Sequence, residues 1–159
     1  MTVCGIDPGV AIVGFGFVEK SGGQLRAIRS GVMRTEAGLP LETRLLHIYN
    51  DFNQLLDLVP PDALAVEELF FNANVNTGLP VAHARGVVLL CGALRGIPIF
   101  SYSPQQVKLA VVGYGKAEKL QVMEMTKKLL GLKQVPRPDD AADALAVALC
   151  HMNHSRILG

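Results

Sequence analysis

The chain begins with Thr2-Val3-Cys4-Gly5-Ile6-Asp7-Pro8-Gly9, a short apolar run followed by a carboxylate and a Pro-Gly pair. The run predicts a central β-strand, and the Pro-Gly pair ends it because proline fixes one backbone angle while glycine frees the next. Asp7 is therefore expected at the end of a strand. Gly9, Gly14 and Gly16 leave little side-chain bulk beside this carboxylate. We expect that a large group can approach Asp7.

An Asp before Pro-Gly has two other interpretations. Its side chain can simply bond to nearby backbone within a turn. A strand followed by Asp-x-Gly is also typical of the phosphate loop of actin-like ATPases, although that class needs a second phosphate loop and a much longer chain. The motif alone leaves these alternatives open.

The length and composition of the chain bound its class. With 159 residues, it predicts a single domain over residues 1–159 that can bury a hydrophobic core. Its three cysteines are odd in number and lie far apart among apolar neighbours, which favours buried free thiols over disulfides or a zinc site. No charged-then-apolar leader and no run of about 18 apolar residues occurs. We therefore expect a soluble, cytoplasmic protein that does not bind membranes.

The net charge of +1 hides an uneven distribution of charged residues. Residues 100–137 contain seven basic and two acidic side chains. Six of the other acids occupy three apolar-flanked places, where an unpaired carboxylate is costly. These acids are Asp7, Glu67, Glu68, Asp139, Asp140 and Asp143. A basic face beside an acidic pocket is typical of a protein that binds both a polyanion and a metal.

Turn signals and periodicity predict a three-stranded antiparallel meander at the start of the chain. After the first strand come two β-like segments joined by a glycine pair, Ile12 to Glu19 and Leu25 to Arg34. Helical spacing of apolar residues after Pro40 predicts a helix that stops before Pro60. The chain then returns to strand over Ala63 to Leu69.

Asparagines predict a loop at residues 70–76, which also contains the aromatic Phe70. This ring can fold back onto the core, or it can stack on an unpaired base if it is exposed. Leu79 to Leu94 is predicted to be a helix that is apolar nearly all round, broken only by His83 and Arg85. Such a helix is buried on more than one side, either in the core or at a subunit interface.

The second half of the chain predicts a fifth strand and three helices. The strand is expected over Ile97 to Tyr102, followed by a short helix with Ser103 as its N-cap and Gly113 at its end. Two further helices are expected over Ala117 to Leu130 and over Asp139 to about His154. Strands alternating with helices after a meander predict an α/β fold, a five-stranded mixed sheet with helices on both faces.

Asp140 and Asp143 lie three residues apart in the last predicted helix and so share one face. Capping or the helix dipole explains one acid near a helix start, but not the second. Asp143 has apolar neighbours, where a lone charge requires a cation or a partner. Carboxylates that reach apolar surroundings from three separate segments are what a pair of Mg²⁺ or Mn²⁺ ions needs.

Several motifs follow one another in a distinctive order along nearly the whole chain. They are GIDPG at 5–9, AVEELFF at 65–71, ARGV at 84–87, QQVK at 105–108, VVGYGKAEK at 111–119 and DDAADALAVA at 139–148. In this combination the chain resembles the RuvC-type Holliday-junction resolvases. The resemblance implies a ribonuclease-H-like fold and the activity of a crossover junction endodeoxyribonuclease.

The resemblance also implies site residues, motif by motif. The positions of the four catalytic, metal-binding acids of that family are taken here by Asp7, Glu67, Asp140 and Asp143. Glu68 is secondary, because relatives often have an uncharged residue there. The implied DNA contacts are Phe70, which stacks on the junction, and Lys108 and Lys119, which meet the backbone near the cleavage site. Lys116 is a further candidate phosphate contact.

The implied activity is metal-dependent cleavage of four-way DNA junctions during homologous recombination and DNA repair. Two Mg²⁺ or Mn²⁺ ions about 4 Å apart, bridged by Asp7, are expected to activate a water for in-line attack without a covalent enzyme intermediate. The implied products carry 5′-phosphate and 3′-hydroxyl ends. The implied protein partner is a branch-migration helicase.

The symmetry of the implied substrate predicts a homodimer. A four-way junction has approximate twofold symmetry and is cut in two strands, so one acidic pocket per chain requires two chains. The apolar helix over Leu79 to Leu94 is expected to form the contact, with Ala82 and Gly86 at or near the interface.

Other functions stay open on the sequence alone. Compact RNA-processing nucleases share the implied fold, although the ELFF and GYGKAEK segments argue against that class. A junction-binding module without metal is the non-enzyme alternative, and the presence of all four acids disfavours it. His151 and His154, three residues apart, are either metal ligands or a response to the helix dipole.

Overall fold

A computed structural model describes residues 1–69 and 75–157 of the chain. Its strands are β1 Thr2–Asp7, β2 Ile12–Ser21, β3 Gln24–Arg34, β4 Ala63–Glu67 and β5 Ile99–Tyr102. Its helices are α1 Leu41–Leu58, α2 Val75–Leu94, α3 Pro104–Val112, α4 Lys119–Leu129 and α5 Asp139–Ile157. None of these helices is long and apolar enough to cross a membrane.

The strands form one mixed sheet in the order β3-β2-β1-β4-β5. The first three strands are the antiparallel meander that the sequence predicts. β4 pairs in parallel with β1 on one side and with β5 on the other. Because β1 and β4 run side by side in the same direction, their last residues, Asp7 and Glu67, lie at the same edge of the sheet.

Each face of the sheet carries its own hydrophobic core, as the α/β prediction requires. α1 and α2 cover one face, where Phe17, Ile48 and Phe52 are fully buried. α3, α4 and α5 cover the other face, where α5 contributes an almost continuous buried run from Ala144 to Met152. The three cysteines are buried and free, which confirms that prediction.

Glycines on β1 and β2 let α5 approach the sheet very closely. A Cβ atom at Gly5 would overlap the carbonyl oxygen of Ala144, and one at Gly16 would lie 2.7 Å from the Leu145 side chain. At Gly14 it would overlap the backbone of Asp140. The space that we expected beside Asp7 at Gly14 and Gly16 is therefore filled by α5 and not by a ligand.

The predicted strand boundaries need correction at four strand ends. β2 runs to Ser21 rather than Glu19, and β3 begins at Gln24 rather than Leu25. β4 ends at Glu67 rather than Leu69, because its pairing with β5 ends where Glu67 meets Tyr102, the last residue of β5. β5 begins at Ile99 rather than Ile97, and Pro98 has no N–H to contribute to a sheet.

The predicted helix boundaries also need correction. α2 begins at Val75, so residues 75 and 76 belong to the helix and not to the predicted loop. The helix continues through Pro80, whose missing N–H removes a single backbone bond near the helix start. α4 begins at Lys119, because Glu118 is extended and forms a capping box with Gln121. α5 runs to Ile157, beyond the predicted end near His154.

We predict that Gly5→Ala destabilises the protein by about 1–3 kcal/mol or more, because α5 or β1 must move to admit the new methyl group. The measurement is the free energy of unfolding in denaturant. Gly115→Ala is the matched control, since its Cβ would lie in ordinary contact, 3.6 Å from Gln105. Equal stability of Gly5→Ala and the parent would show that the close approach of α5 is not required.

Candidate active site

Two adjacent strand ends bring Asp7 and Glu67 together. Ile6 pairs with Val66 across β1 and β4, so the residue that follows in each strand lies at the same level. The two carboxyl groups lie close enough to act on each other, and the charge of Glu67 helps to raise the pKa of Asp7.

α5 adds two more carboxylates to the same place. Asp140, in the first turn of α5, lies directly above Gly14, which is the register partner of Asp7. Asp143 follows about one turn later on the same face of the helix. The charges of Glu67, Asp140 and Asp143 all act on Asp7, so the structure brings together the four acids that the sequence singles out. We call these residues the four-acid cluster.

Burial and mutual repulsion disfavour negative charge in the four-acid cluster. Burial, followed by the charges of Glu67 and Asp143, raises the pKa of Asp7 to about 9. Burial also raises the pKa of Glu67 and that of Asp143, although Lys119 opposes the shift at both positions. Positive charge placed among these carboxylates would remove the repulsion.

The donor chemistry of the four-acid cluster fits a hard divalent cation. All four side chains offer carboxylate oxygens, the ligands that Mg²⁺ and Mn²⁺ prefer. No three His, Cys, Asp or Glu side chains in residues 1–69 and 75–157 are already arranged around one ion position. Asp7 instead lies beside Glu67, and Asp143 is paired with Lys119. By donor chemistry the residues fit such ions, and Asp7, Glu67, Asp140 and Asp143 would hold them.

A cleft of about 210 Å³ lies beside the four-acid cluster, with basic side chains in its wall. Glu67 and Asp143 line it together with Lys108 and Lys119. The ammonium group of Lys119 lies 3.4 Å from Asp143 and 3.7 Å from Asp139. Acids and lysines from β4, α3, α4 and α5 therefore meet in one cleft, as the sequence predicts.

The remaining predicted residues lie apart from this cleft. Lys116 is exposed and is not among the residues that line it. Glu68 lines a different cavity, of about 470 Å³, beside α2 residues that include Ala82 and Gly86. Glu68 follows Glu67 in the chain but lines the α2 side, so its secondary role is consistent with its position. Phe70 falls outside the described residues.

His151 and His154 belong to an aromatic cluster instead of a metal site. The Tyr102 hydroxyl and Nδ1 of His151 are 2.7 Å apart, and the Phe100 ring lies 4.4 Å from the His151 ring, centroid to centroid. Nδ1 of His154 lies 2.9 Å from the Cys150 carbonyl oxygen. Burial lowers the pKa of His151. These contacts favour a packing role for both histidines.

The sequence interpretation missed two arginines whose hydrogen bonds stabilise the backbone next to the site. Arg85 of α2 donates a hydrogen bond to the Glu67 carbonyl oxygen at 3.2 Å. Arg44 of α1 donates to the Thr35 hydroxyl at 2.8 Å, and Thr35 donates to the Val10 carbonyl oxygen, just beyond Asp7, at 2.6 Å. A charged residue in an otherwise apolar helix was the available signal for Arg85, whereas periodicity gave no signal for Arg44.

We predict that Asp7→Asn stabilises the metal-free protein. A raised carboxyl pKa means that the folded state binds the proton more tightly than the unfolded chain, so stability falls as pH rises from about 4 to about 9. The amide has no such titration, and its advantage should grow with pH. We expect a rise in Tm of about 2–4 °C or more at pH 8, and a smaller rise at pH 5.

The control for this experiment is Asp51→Asn, which changes an exposed carboxylate on α1. We expect little change in its Tm at either pH. A lower Tm for Asp7→Asn than for the parent at pH 8 without metal would contradict the repulsion argument.

Comparison with known proteins identifies the family. The family model described as "Crossover junction endodeoxyribonuclease RuvC" matches residues 3–151. A RuvC of Brevibacillus brevis is 55% identical over 95% of this chain and 91% of its own length. A RuvC of Chloroflexus aggregans is 54% identical, over 95% of this chain and 92% of its own length.

Solved structures agree with the sequence matches. The RuvC structure of Thermus thermophilus superposes with a TM-score of 0.90 at 38% identity, covering 99% of this chain and 96% of that one. The complex of T. thermophilus RuvC with a Holliday junction substrate gives the same TM-score at 36% identity, with the same coverage. The ribonuclease-H-like fold is thereby confirmed. This chain belongs to the RuvC family of crossover junction endodeoxyribonucleases, metal-dependent enzymes that resolve Holliday junctions in recombination and repair.

Proposed function

We propose that this resolvase cuts four-way DNA junctions with two Mg²⁺ or Mn²⁺ ions held by the four-acid cluster. The observation that carries the proposal is the mutual repulsion of Asp7, Glu67 and Asp143 at one edge of the sheet. A protein gains no stability from crowding carboxylates in this way, whereas a metal site requires it.

Each acid has its own task in this proposal. Asp7 lies between the strand acid Glu67 and the helix acids Asp140 and Asp143, so it would hold metal together with the acids on either side. Glu67 holds one side of the site from β4, and the two acids of α5 hold the other. When bound, the ions supply activation of water and stabilisation of the leaving oxygen. The proposed products carry 5′-phosphate and 3′-hydroxyl ends.

Lysines beside the four-acid cluster hold the DNA in this proposal. Lys108 lines the cleft, where its ammonium group can meet a backbone phosphate. Lys119 pairs with Asp143 in the free protein and, once Asp143 held metal, would be available to a backbone phosphate. Lys116 adds a contact farther along the strand, and Phe70 stacks on a base at the junction.

A second chain completes the functional unit, which we propose to be a homodimer. Leu79, Leu90 and Leu94 on the outer side of α2 are 48%, 51% and 66% exposed. They recur at spacings of eleven and four residues, which places them in one stripe along the helix, and Gly86 lies in the same stripe. The sequence predicts that α2 is buried on more than one side. In this proposal a partner chain supplies the second burial by covering the stripe. An isologous contact here would include Ala82 and Gly86.

The rest of the proposal follows from the family resemblance. Residues 1–159 act as a single nuclease domain in the cytoplasm. The branch-migration helicase expected beside this family supplies the mobile junctions on which the dimer acts.

We predict that Asp143→Asn lowers junction cleavage by orders of magnitude while junction binding survives. The change keeps the shape of the side chain but removes a negative charge from the metal site. Cleavage of a synthetic mobile junction, mapped at nucleotide resolution with Mg²⁺ and with Mn²⁺, is the measurement. Asp51→Asn is the control and should cut like the parent. Full cleavage by Asp143→Asn would remove this residue from the mechanism.

We predict that Gly86→Arg yields monomers that nick junctions poorly and without paired cuts. A Cβ atom at Gly86 meets no atom within 4 Å, so the variant should fold, which circular dichroism can verify. Sedimentation at micromolar concentration measures the assembly, and Ser30→Arg on the edge strand β3 is the control. A parent protein that sediments as a monomer with and without a junction would contradict the proposed dimer.

A further inference from the structure

Arg85 connects α2 to the strand end that carries Glu67. Its Nε donates to the Glu67 carbonyl oxygen at 3.2 Å, and its Nη2 donates to the Ser101 hydroxyl at 2.8 Å. Ser101 is the register partner of Val66 on β5. One guanidinium group therefore fastens the last residue of β4 to the neighbouring strand.

The hydrogen bond from Arg85 to the Glu67 carbonyl oxygen can affect where the Glu67 carboxylate lies. The register of β4 with β1 ends at Val66, and β4 itself ends at Glu67. Glu67 is paired with Tyr102 of β5, but the register with β1 does not reach it, so the sheet holds it on one side, whereas it holds Val66 on both. The side chain of Glu67 is also repelled by Asp143. A planar guanidinium with two fixed hydrogen bonds restrains the backbone against that repulsion.

The same turn of α2 faces outward through Gly86. Consecutive helical residues point about 100° apart, so Arg85 reaches the sheet while Gly86 lies in the exposed stripe. Both residues line the cavity of about 470 Å³ that also contains Glu68. A shift of α2 relative to the sheet would move Arg85 and, through its hydrogen bond, the backbone of Glu67.

We propose that Arg85 is a positioning residue that sets the metal affinity of the site by fixing the backbone of Glu67 to α2 and β5. This proposal rests on the proposed role of Glu67 as a metal ligand. Arg85 itself touches neither the ions nor the DNA in this proposal. Residues that orient metal ligands from outside the coordination sphere typically change metal affinity or activity by 10–100-fold when they are altered.

The test is a metal titration of the full-length Arg85→Met protein, with two readouts. The first is the Mn²⁺ concentration that gives half of the maximal rise in Tm without DNA. The second is the Mg²⁺ concentration for half-maximal cleavage of a synthetic four-way junction. We expect both to rise about tenfold, while junction binding without metal stays unchanged. Arg85→Lys and Ser101→Ala each allow one of the two hydrogen bonds of residue 85 to remain. Their half-saturating metal concentrations should lie between those of the parent and Arg85→Met.

Arg95→Met is the matched control. Arg95 follows α2 and ties it to α1 through hydrogen bonds to Asn53 at 3.0 Å and to Asp57 at 2.7 Å. Its loss should lower the Tm of the metal-free protein without changing either half-saturation concentration. If Arg95→Met shifts the metal titration as much as Arg85→Met does, the effect is one of general stability and the proposal fails.

Glu67→Gln separates this proposal from the proposed function. If Glu67→Gln weakens the Mn²⁺ response but Arg85→Met does not, the positioning role is wrong and the metal site stands. If Glu67→Gln leaves the Mn²⁺ response unchanged, the metal-ligand role of Glu67 fails as well. Arg85→Lys decides the question if Arg85→Met does not fold.

Discussion

The close packing of α5 against glycines of β1 and β2 is the constraint on which the rest of this structure depends. At Gly5, Gly14 and Gly16 no side chain separates the helix from the sheet. The first turn of α5 therefore lies above Gly14, in register with Asp7. If the helix were raised by the thickness of a methyl group, Asp140 and Asp143 would move away from the strand acids. The same contacts bury the apolar run of α5, so stability and site geometry have one origin.

Packing places the carboxylates together at a cost in electrostatic energy. Their pKa values rise because they are buried and because they repel one another. Lys119 offsets part of this repulsion in the free protein through its ion pairs with Asp139 and Asp143. These pairs are partly exposed, so each contributes little to stability.

α2 shows how one element can serve two surfaces. Ala84, Val88 and Cys91 are buried in the core that α2 shares with the sheet and α1. The exposed stripe of Leu79, Leu90 and Leu94 is the surface that we propose a second chain covers. Arg85 is the polar link between the helix and the sheet edge. This arrangement places the proposed dimer contact within one helical turn of a bond to Glu67.

The sequence alone determined the strand order of the meander and the cap at Ser103, because turn chemistry and capping are local signals. Buried charge indicated six acids, and only the family resemblance selected Asp7, Glu67, Asp140 and Asp143 among them. It placed the ends of β4, β5, α2 and α4 less well, since ladder register and capping depend on neighbouring segments. Only the tertiary structure decided that Gly14 and Gly16 admit a helix, that Glu67 and Glu68 line different cavities, and that Arg44 and Arg85 brace the strand ends. These features join residues far apart in the chain, and no local pattern encodes such contacts.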